Sequence, residues 1–227
     1  TRKYVHSTDT PRLSPGTGAN LRNRLISLAL LTTTLIATPL GAQTKVTARI
    51  PDVQHAPIAY LLDTSSGQVL YERDIDRRFM PASITKVMTT LVAFDMLADG
   101  KLRRDQRMPY RDASFDEWHR KGSTLFLPRR ARPSVNELLI GITTVSANDA
   151  AVVLAEGASG SVDKWTARMN ATARSIGMHD SYFGTPNGWP DEGHTFTSAR
   201  DLGLLAKRII RGHPDFFDYY YGRTGLK

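Results

Sequence analysis

The feature that most constrains this chain is the stretch 79–89, in which a serine and a lysine three residues apart open an apolar helix. Proline is tolerated in the first turn of a helix and serine is favoured there, so Pro81 and Ser83 predict a helix start. Apolar residues then recur at helical spacing until Asp99-Gly100 ends the pattern: Val87, Leu91, Phe94, Met96 and Leu97. Because residues i and i+3 share one helix face, the side chains of Ser83 and Lys86 are predicted to meet.

The Ser83 and Lys86 pair could act in catalysis if the lysine loses its charge. The positive end of the helix dipole and burial both disfavour an ammonium group, so we expect a lowered pKa for Lys86. A neutral amine beside a hydroxyl is a general base beside a nucleophile, which makes Ser83 the candidate nucleophile. The alternative is a helix-capping serine with a solvated lysine, which is our interpretation of the same spacing at 161–164.

A second candidate element is Ser146-Ala147-Asn148, in a turn that precedes a very apolar helix. Its hydroxyl could relay a proton to a leaving amine, and its side-chain amide could hold a substrate carbonyl. Ser134-Val135-Asn136 has the same form, but Ser134 and Glu137 are typical of a helix capping box. We therefore assign Ser146 and Asn148 to the candidate site.

Composition excludes several other classes of site. The 227 residues are 41% hydrophobic and 23% charged, as in ordinary globular proteins, and they include no cysteine for a disulfide, a thiol nucleophile or a metal site. The six histidines show no paired spacing of the zinc-peptidase kind, and we expect no metal or cofactor. The net charge is +8, but no basic stripe with interleaved aromatic residues predicts nucleic-acid binding.

The N-terminal region is typical of an exported protein. Arg22 and Arg24 precede an apolar run from Leu25 to about Leu40, which the small residues Gly41-Ala42 follow. This run is shorter than the roughly 20 apolar residues of a membrane span. We predict that residues 1–42 are a polar leader and signal peptide with cleavage after Ala42, an uncleaved anchor being the alternative. The protein is then expected in the periplasm or on the outer face of the cytoplasmic membrane.

The remaining pattern predicts an α/β (α+β) fold. Two short strands, 58–62 and 68–71, flank a turn containing Gly67 and form an antiparallel hairpin. Residues 101–132 are loop-like, and helices are predicted from Ser134, after Asn148, over 162–176 and from Ser198 to Gly212. We expect an antiparallel sheet flanked by helices, with an inserted mostly helical lobe over 101–177 and a cleft between them.

Five motifs in this order resemble the low-molecular-mass penicillin-binding serine D-alanyl-D-alanine carboxypeptidases. The resemblance covers about residues 50–222. The motifs are Ser66-Gly67, Pro81-Ala82-Ser83-Ile84-Thr85-Lys86, Gly122-Ser123, Ser146-Ala147-Asn148-Asp149-Ala150-Ala151 and Ser198-Ala199-Arg200-Asp201.

The resemblance implies a β-lactamase/transpeptidase-like fold and a reaction. Ser83 would be the acylated nucleophile and Lys86 the base, with Ser146 and Asn148 as the second active-site element. Substrates would be peptidoglycan stem peptides ending in D-Ala-D-Ala, and β-lactams would be covalent inhibitors. The resemblance also implies peripheral membrane association of the full-length protein.

The third motif of that family, Lys-Thr-Gly on an inner strand, does not occur in the sequence. We reject Arg223-Thr224-Gly225 as a substitute, because only two residues follow it and they cannot complete a strand. Residues 43–227 are therefore expected to be an incomplete D,D-peptidase catalytic domain that lacks its C-terminal sheet strands.

Three alternatives to a carboxypeptidase stay open. A D,D-endopeptidase of the same family would carry the same motifs. A class A β-lactamase is disfavoured, because the glutamate it needs is missing from Ser181-Tyr182-Phe183-Gly184. An inactive penicillin-recognition fragment is the non-enzymatic alternative.

Overall fold

The computed structural model of the chain describes residues 56–223. The predicted leader and signal peptide, and Thr224-Gly225, lie outside the described residues. Strands β1 (Ala59–Leu62) and β2 (Val69–Arg73) come first, followed by a 3₁₀ turn (Ala82–Ile84). Seven helices follow in the described part: α1 (Thr85–Ala98), α2 (Asp112–Trp118), α3 (Val135–Val145), α4 (Asn148–Ser159), α5 (Val162–Ser175), α6 (Ala199–Gly212) and α7 (Pro214–Tyr221). Within residues 56–223, every helix is too short or too polar to cross a bilayer.

The predicted hairpin is confirmed. β1 and β2 pair antiparallel from Ala59 opposite Arg73 to Leu62 opposite Val69, with a register irregularity after Leu61. Gly67 takes the positive φ of 79° that the turn needs. Helix α6 packs on β1, where a Cβ on Gly203 would lie 2.6 Å from the Tyr60 ring. The hairpin is therefore held to the rest of the fold by a close helix contact.

Helix α1 is the centre of the hydrophobic core. Its Met88, Leu91 and Phe94 are fully buried in the cluster that α3, α4 and α5 complete. The inward positions predicted for Trp165 and Met169 of α5 are confirmed, since both are fully buried. This packing fixes the axis of α1 and hence the position of the turn at its N-terminus.

Two helices were missed by the sequence analysis. Helix α2 lies in the stretch 101–132 predicted to be loop-like, and α7 follows the last predicted helix, which ends at Gly212. α2 has only seven residues and buries only Ser114 and Trp118, so its apolar periodicity is too weak to detect. α7 starts with Pro214 in its first turn, a position that proline favours, and it stacks Tyr220 on Phe94 at 5.4 Å between ring centroids.

Candidate active site

Ser83 sits in the 3₁₀ turn that leads into α1. The residue before it, Ala82, has a left-handed φ of 48°, which is strained for a residue with a Cβ. Neither the turn nor α1 has a side-chain cap, so the Ser83 hydroxyl is not used as a helix cap. It is exposed, and its Oγ lies 3.1 Å from the Lys86 Nζ. The predicted meeting of Ser83 and Lys86 is thus confirmed.

Lys86 is only 3% exposed, and its ammonium donates a second hydrogen bond of 2.7 Å to the backbone oxygen of Asn187. Burial lowers the pKa of Lys86 from 10.5 to about 8. At pH 7 about one molecule in ten then carries the uncharged amine. In that form the Ser83 hydroxyl can donate to the Nζ lone pair, which is the arrangement a general base needs.

The loop 184–190 holds the lysine in place. Gly188 has a φ of 74°, and a Cβ there would overlap the carbonyl oxygen of Ala82. The Thr89 hydroxyl donates to the Pro186 oxygen at 2.7 Å, which ties the same loop to α1. The backbone acceptor for Lys86 is therefore fixed by close contact on both sides.

The second candidate element lies between α3 and α4. Ser146 ends α3 in the left-handed conformation, with φ of 57°. The Asn148 N–H donates to the Ser123 oxygen at 2.7 Å, and its side-chain Nδ2 donates to the Lys121 oxygen at 3.0 Å. The Ser123 hydroxyl in turn donates to the Val145 oxygen. These bonds fasten the segment 121–123 across the junction of the two helices.

Gly122 connects the two halves of the site. A Cβ on this residue would lie 2.7 Å from the Asn148 Nδ2 and 3.1 Å from the Trp189 ring. Trp189 follows Asn187 by two residues in the loop that holds Lys86. A continuous set of contacts therefore joins Asn148 to Lys86. Among the described residues, no hydrogen bond links Ser146 to Ser83 or Lys86, so the relay role of Ser146 stays a prediction.

Asp149 is a supporting residue that sequence reasoning did not single out. It is fully buried and its carboxylate accepts from the N–H groups of Leu125, at 2.9 Å, and Ala150, at 2.8 Å. Burial is the main influence on it and raises its pKa. The signal available in the sequence was an acidic residue in the first turn of a helix, a position favoured by the helix dipole. Asp149 anchors the segment after Gly122 to α4.

Comparison with known proteins now decides the family. The model of the D-alanyl-D-alanine carboxypeptidase family matches residues 44–224. The chain is 33% identical over 190 residues to D-alanyl-D-alanine carboxypeptidase DacF of Bacillus subtilis, which covers 83% of this chain and 48% of the relative.

This chain belongs to the D-alanyl-D-alanine carboxypeptidase family.

Two further similarities concern the fold and the activity of relatives. The crystal structure of penicillin binding protein 5 from Haemophilus influenzae matches with a TM-score of 0.68 and 33% identity over 71% of this chain and 46% of that one. It confirms the predicted transpeptidase-like fold class. A D-alanyl-D-alanine endopeptidase of Pseudomonas aeruginosa is 32% identical over 82% of this chain and 58% of its own length. The chain spans about half the length of the Bacillus carboxypeptidase, 48%.

In this carboxypeptidase family member, the second Ser-x-Asn sequence, at Ser134, and the second Ser-x-x-Lys sequence, at Ser161, begin with helix caps, as predicted. Ser134 and Glu137 form a complete capping box at the start of α3. Ser161 accepts a hydrogen bond of 3.2 Å from the Lys164 N–H at the start of α5. Residues 56–223 contain no group of three or more histidine, cysteine or acidic side chains placed to hold a metal ion.

Proposed function

We propose that this chain is the catalytic part of a serine D-Ala-D-Ala carboxypeptidase that trims the terminal D-alanine from peptidoglycan stem peptides. The observation that carries the proposal is the buried Lys86 amine, 3.1 Å from the exposed Ser83 hydroxyl. Its lowered pKa, about 8, gives the base that an unactivated serine needs. The family match over residues 44–224 supports the reaction class.

The reaction would have two steps. Lys86 takes the hydroxyl proton as Ser83 Oγ attacks the carbonyl carbon between the two D-alanines, and the Ser83 N–H stabilises the oxyanion. The bond to the terminal D-alanine breaks and its amine takes a proton, for which the Ser146 hydroxyl is the proposed relay. Asn148 would hold the peptide carbonyl. Water then hydrolyses the Ser83 ester and restores the hydroxyl.

β-Lactams would be trapped by the same attack, because opening the lactam ring leaves its acyl group on Ser83. The similarity to a protein described as penicillin binding supports this. Such a reaction needs access to the cell wall, which agrees with the signal peptide predicted for residues 1–42 and with a location in the periplasm or on the outer face of the cytoplasmic membrane.

Labelling with a fluorescent penicillin tests the proposal. We expect covalent label on the wild-type chain and none on Ser83→Ala. Ser161→Ala is the matched control, because Ser161 begins the other Ser-x-x-Lys sequence and should leave labelling intact. Label on Ser83→Ala would contradict the proposal, and no label on the wild type would support an inactive recognition fragment.

The second candidate is a D,D-endopeptidase, which the similarity to the Pseudomonas endopeptidase favours. The two activities differ in the bond that is cut. Digestion of purified muropeptides separates them: a carboxypeptidase releases free D-alanine from pentapeptides, whereas an endopeptidase converts cross-linked dimers into monomers.

A further inference from the structure

A lysine is held by two tryptophans at the margin of the candidate site. The Lys121 Nζ lies 4.4 Å from the centre of the Trp118 ring and 5.1 Å from that of Trp189. The two rings meet edge to face at 5.8 Å. Ring faces attract a cation and leave the aliphatic stem little freedom, so the ammonium group is fixed in position. The side chain of Lys121 is 34% exposed, so the fixed charge still reaches solvent.

The position of this cation is tied to both halves of the site. The backbone oxygen of Lys121 accepts the Asn148 Nδ2 hydrogen bond at 3.0 Å. Trp189 belongs to the loop whose Asn187 oxygen accepts from Lys86 at 2.7 Å. Lys121 is therefore anchored to Asn148 through its backbone and to the loop that receives Lys86 through the Trp189 ring.

Glu117 is the acidic group that faces Lys121. Its Oε1 lies 3.6 Å from the Lys121 Nζ, four residues later in the chain, and its side chain is 58% exposed. That separation is long for a hydrogen bond, and an exposed ion pair is typically worth no more than about 1 kcal/mol. A substrate anion can therefore displace Glu117 without a large cost.

We propose that Lys121 is a specificity-determining residue that binds a carboxylate of the peptide substrate. The inference rests on the proposed function, since it names a feature of the substrate that the same site would take. The carboxylate could have two sources: an acidic residue preceding D-Ala-D-Ala, or the terminal carboxylate of the leaving D-alanine. In both cases the ammonium group, held in place by two indole rings, would donate a charge-assisted hydrogen bond.

Three variants and three probes separate these sources. Lys121→Met keeps the aliphatic stem on the tryptophans and removes the charge, Lys121→Arg keeps the charge, and Glu117→Gln removes the competing anion. The peptide probes are two N-acylated tripeptides ending in D-Ala-D-Ala, one with glutamate and one with glutamine at the first position. The third probe is the acylation rate with benzylpenicillin, which carries a carboxylate beside its lactam ring.

We expect Lys121→Met to lower kcat/KM about tenfold through KM, Lys121→Arg to restore it, and Glu117→Gln to raise it two- to threefold. A loss confined to the glutamate peptide assigns the carboxylate to the residue before D-Ala-D-Ala. A rise in KM for both peptides together with slower acylation by penicillin assigns it to the terminal carboxylate. The proposal is overturned if Lys121→Met changes none of the three, or if Lys121→Met and Lys121→Arg both lose kcat alone, which indicates a disturbed Asn148.

Binding can be read without catalysis. Trp118 and Trp189 should report peptide binding to Ser83→Ala through a change in fluorescence, and Lys121→Met should weaken that binding. If penicillin fails to label the wild type but this Lys121-dependent binding is present, the proposed function fails and the carboxylate site stands. If labelling is present and neither peptide binding nor kcat/KM depends on Lys121, the carboxylate-site proposal is rejected and the proposed function is retained.

Discussion

The chain contains two Ser-x-x-Lys sequences that fold differently. Ser161 lies in extended backbone and caps α5, with its Oγ accepting from the Lys164 N–H, and Lys164 is exposed. Ser83 lies in a 3₁₀ turn after the left-handed Ala82, and its Oγ contacts the Lys86 side chain instead of a backbone N–H. The spacing alone therefore does not make a catalytic pair.

Two physical conditions separate the pairs. The backbone before Ser83 turns its hydroxyl away from the capping position, and the loop 184–190 covers Lys86 and removes it from water. Burial lowers the pKa of Lys86 because the charged form loses hydration, and the pair becomes a base and a nucleophile.

The largest expected difference between the two motifs is at the lysines. Lys86→Met keeps the side-chain volume but removes the base, so we expect the penicillin acylation rate to fall by about 10²–10⁴-fold. Lys164→Met should acylate at the wild-type rate. Rates measured by stopped-flow or gel labelling check both, and similar losses in the two variants would show that the motifs are not functionally distinct.

The next effect concerns the loop that buries Lys86. A Cβ on Gly188 would overlap the Ala82 oxygen, so Gly188→Ala should displace the loop and slow acylation by about 10–100-fold. Gly160 is the matched control, since it also has a positive φ, 86°, but open space around it. Gly160→Ala should cost only about 1 kcal/mol of stability, with acylation unchanged. A Gly188→Ala chain that acylates normally would show that this loop does not position Lys86.

The smallest effect is on stability at the serines. Ser161→Ala removes a helix cap and should lower the free energy of unfolding by about 1 kcal/mol. Ser83→Ala removes no cap and should change it by less than about 0.5 kcal/mol. Urea unfolding followed by circular dichroism measures both values. Equal losses would mean that Ser83 also serves as a cap.

Sequence patterns predicted the elements that carry local signals. The Ser134 capping box, the Gly67 turn and the apolar stripe of α1 depend on residues close in the chain, and all three are present. Helix α2 carries a weak pattern, and it was missed for that reason. Helix α7 has a local start signal in Pro214, but its eight residues give only a short apolar pattern.

The site was predicted in part. The Ser83 and Lys86 contact follows from helical spacing, but the backbone oxygen that receives Lys86 comes from Asn187, 101 residues later. No local pattern can place a carbonyl group across that distance. The same holds for the contact of Gly122 with Trp189, which joins the two halves of the site.

The central claim is that Lys86 is uncharged in an appreciable fraction of molecules near neutral pH. A depressed pKa means that the neutral base accumulates as pH rises through that value, so acylation should increase up to about pH 8 and then level off. The direct measurement is a heteronuclear NMR titration of the lysine side chains, in which the Lys86→Arg variant identifies the Lys86 signal. The account predicts a midpoint near 8 for Lys86, and a midpoint above 10 would contradict it.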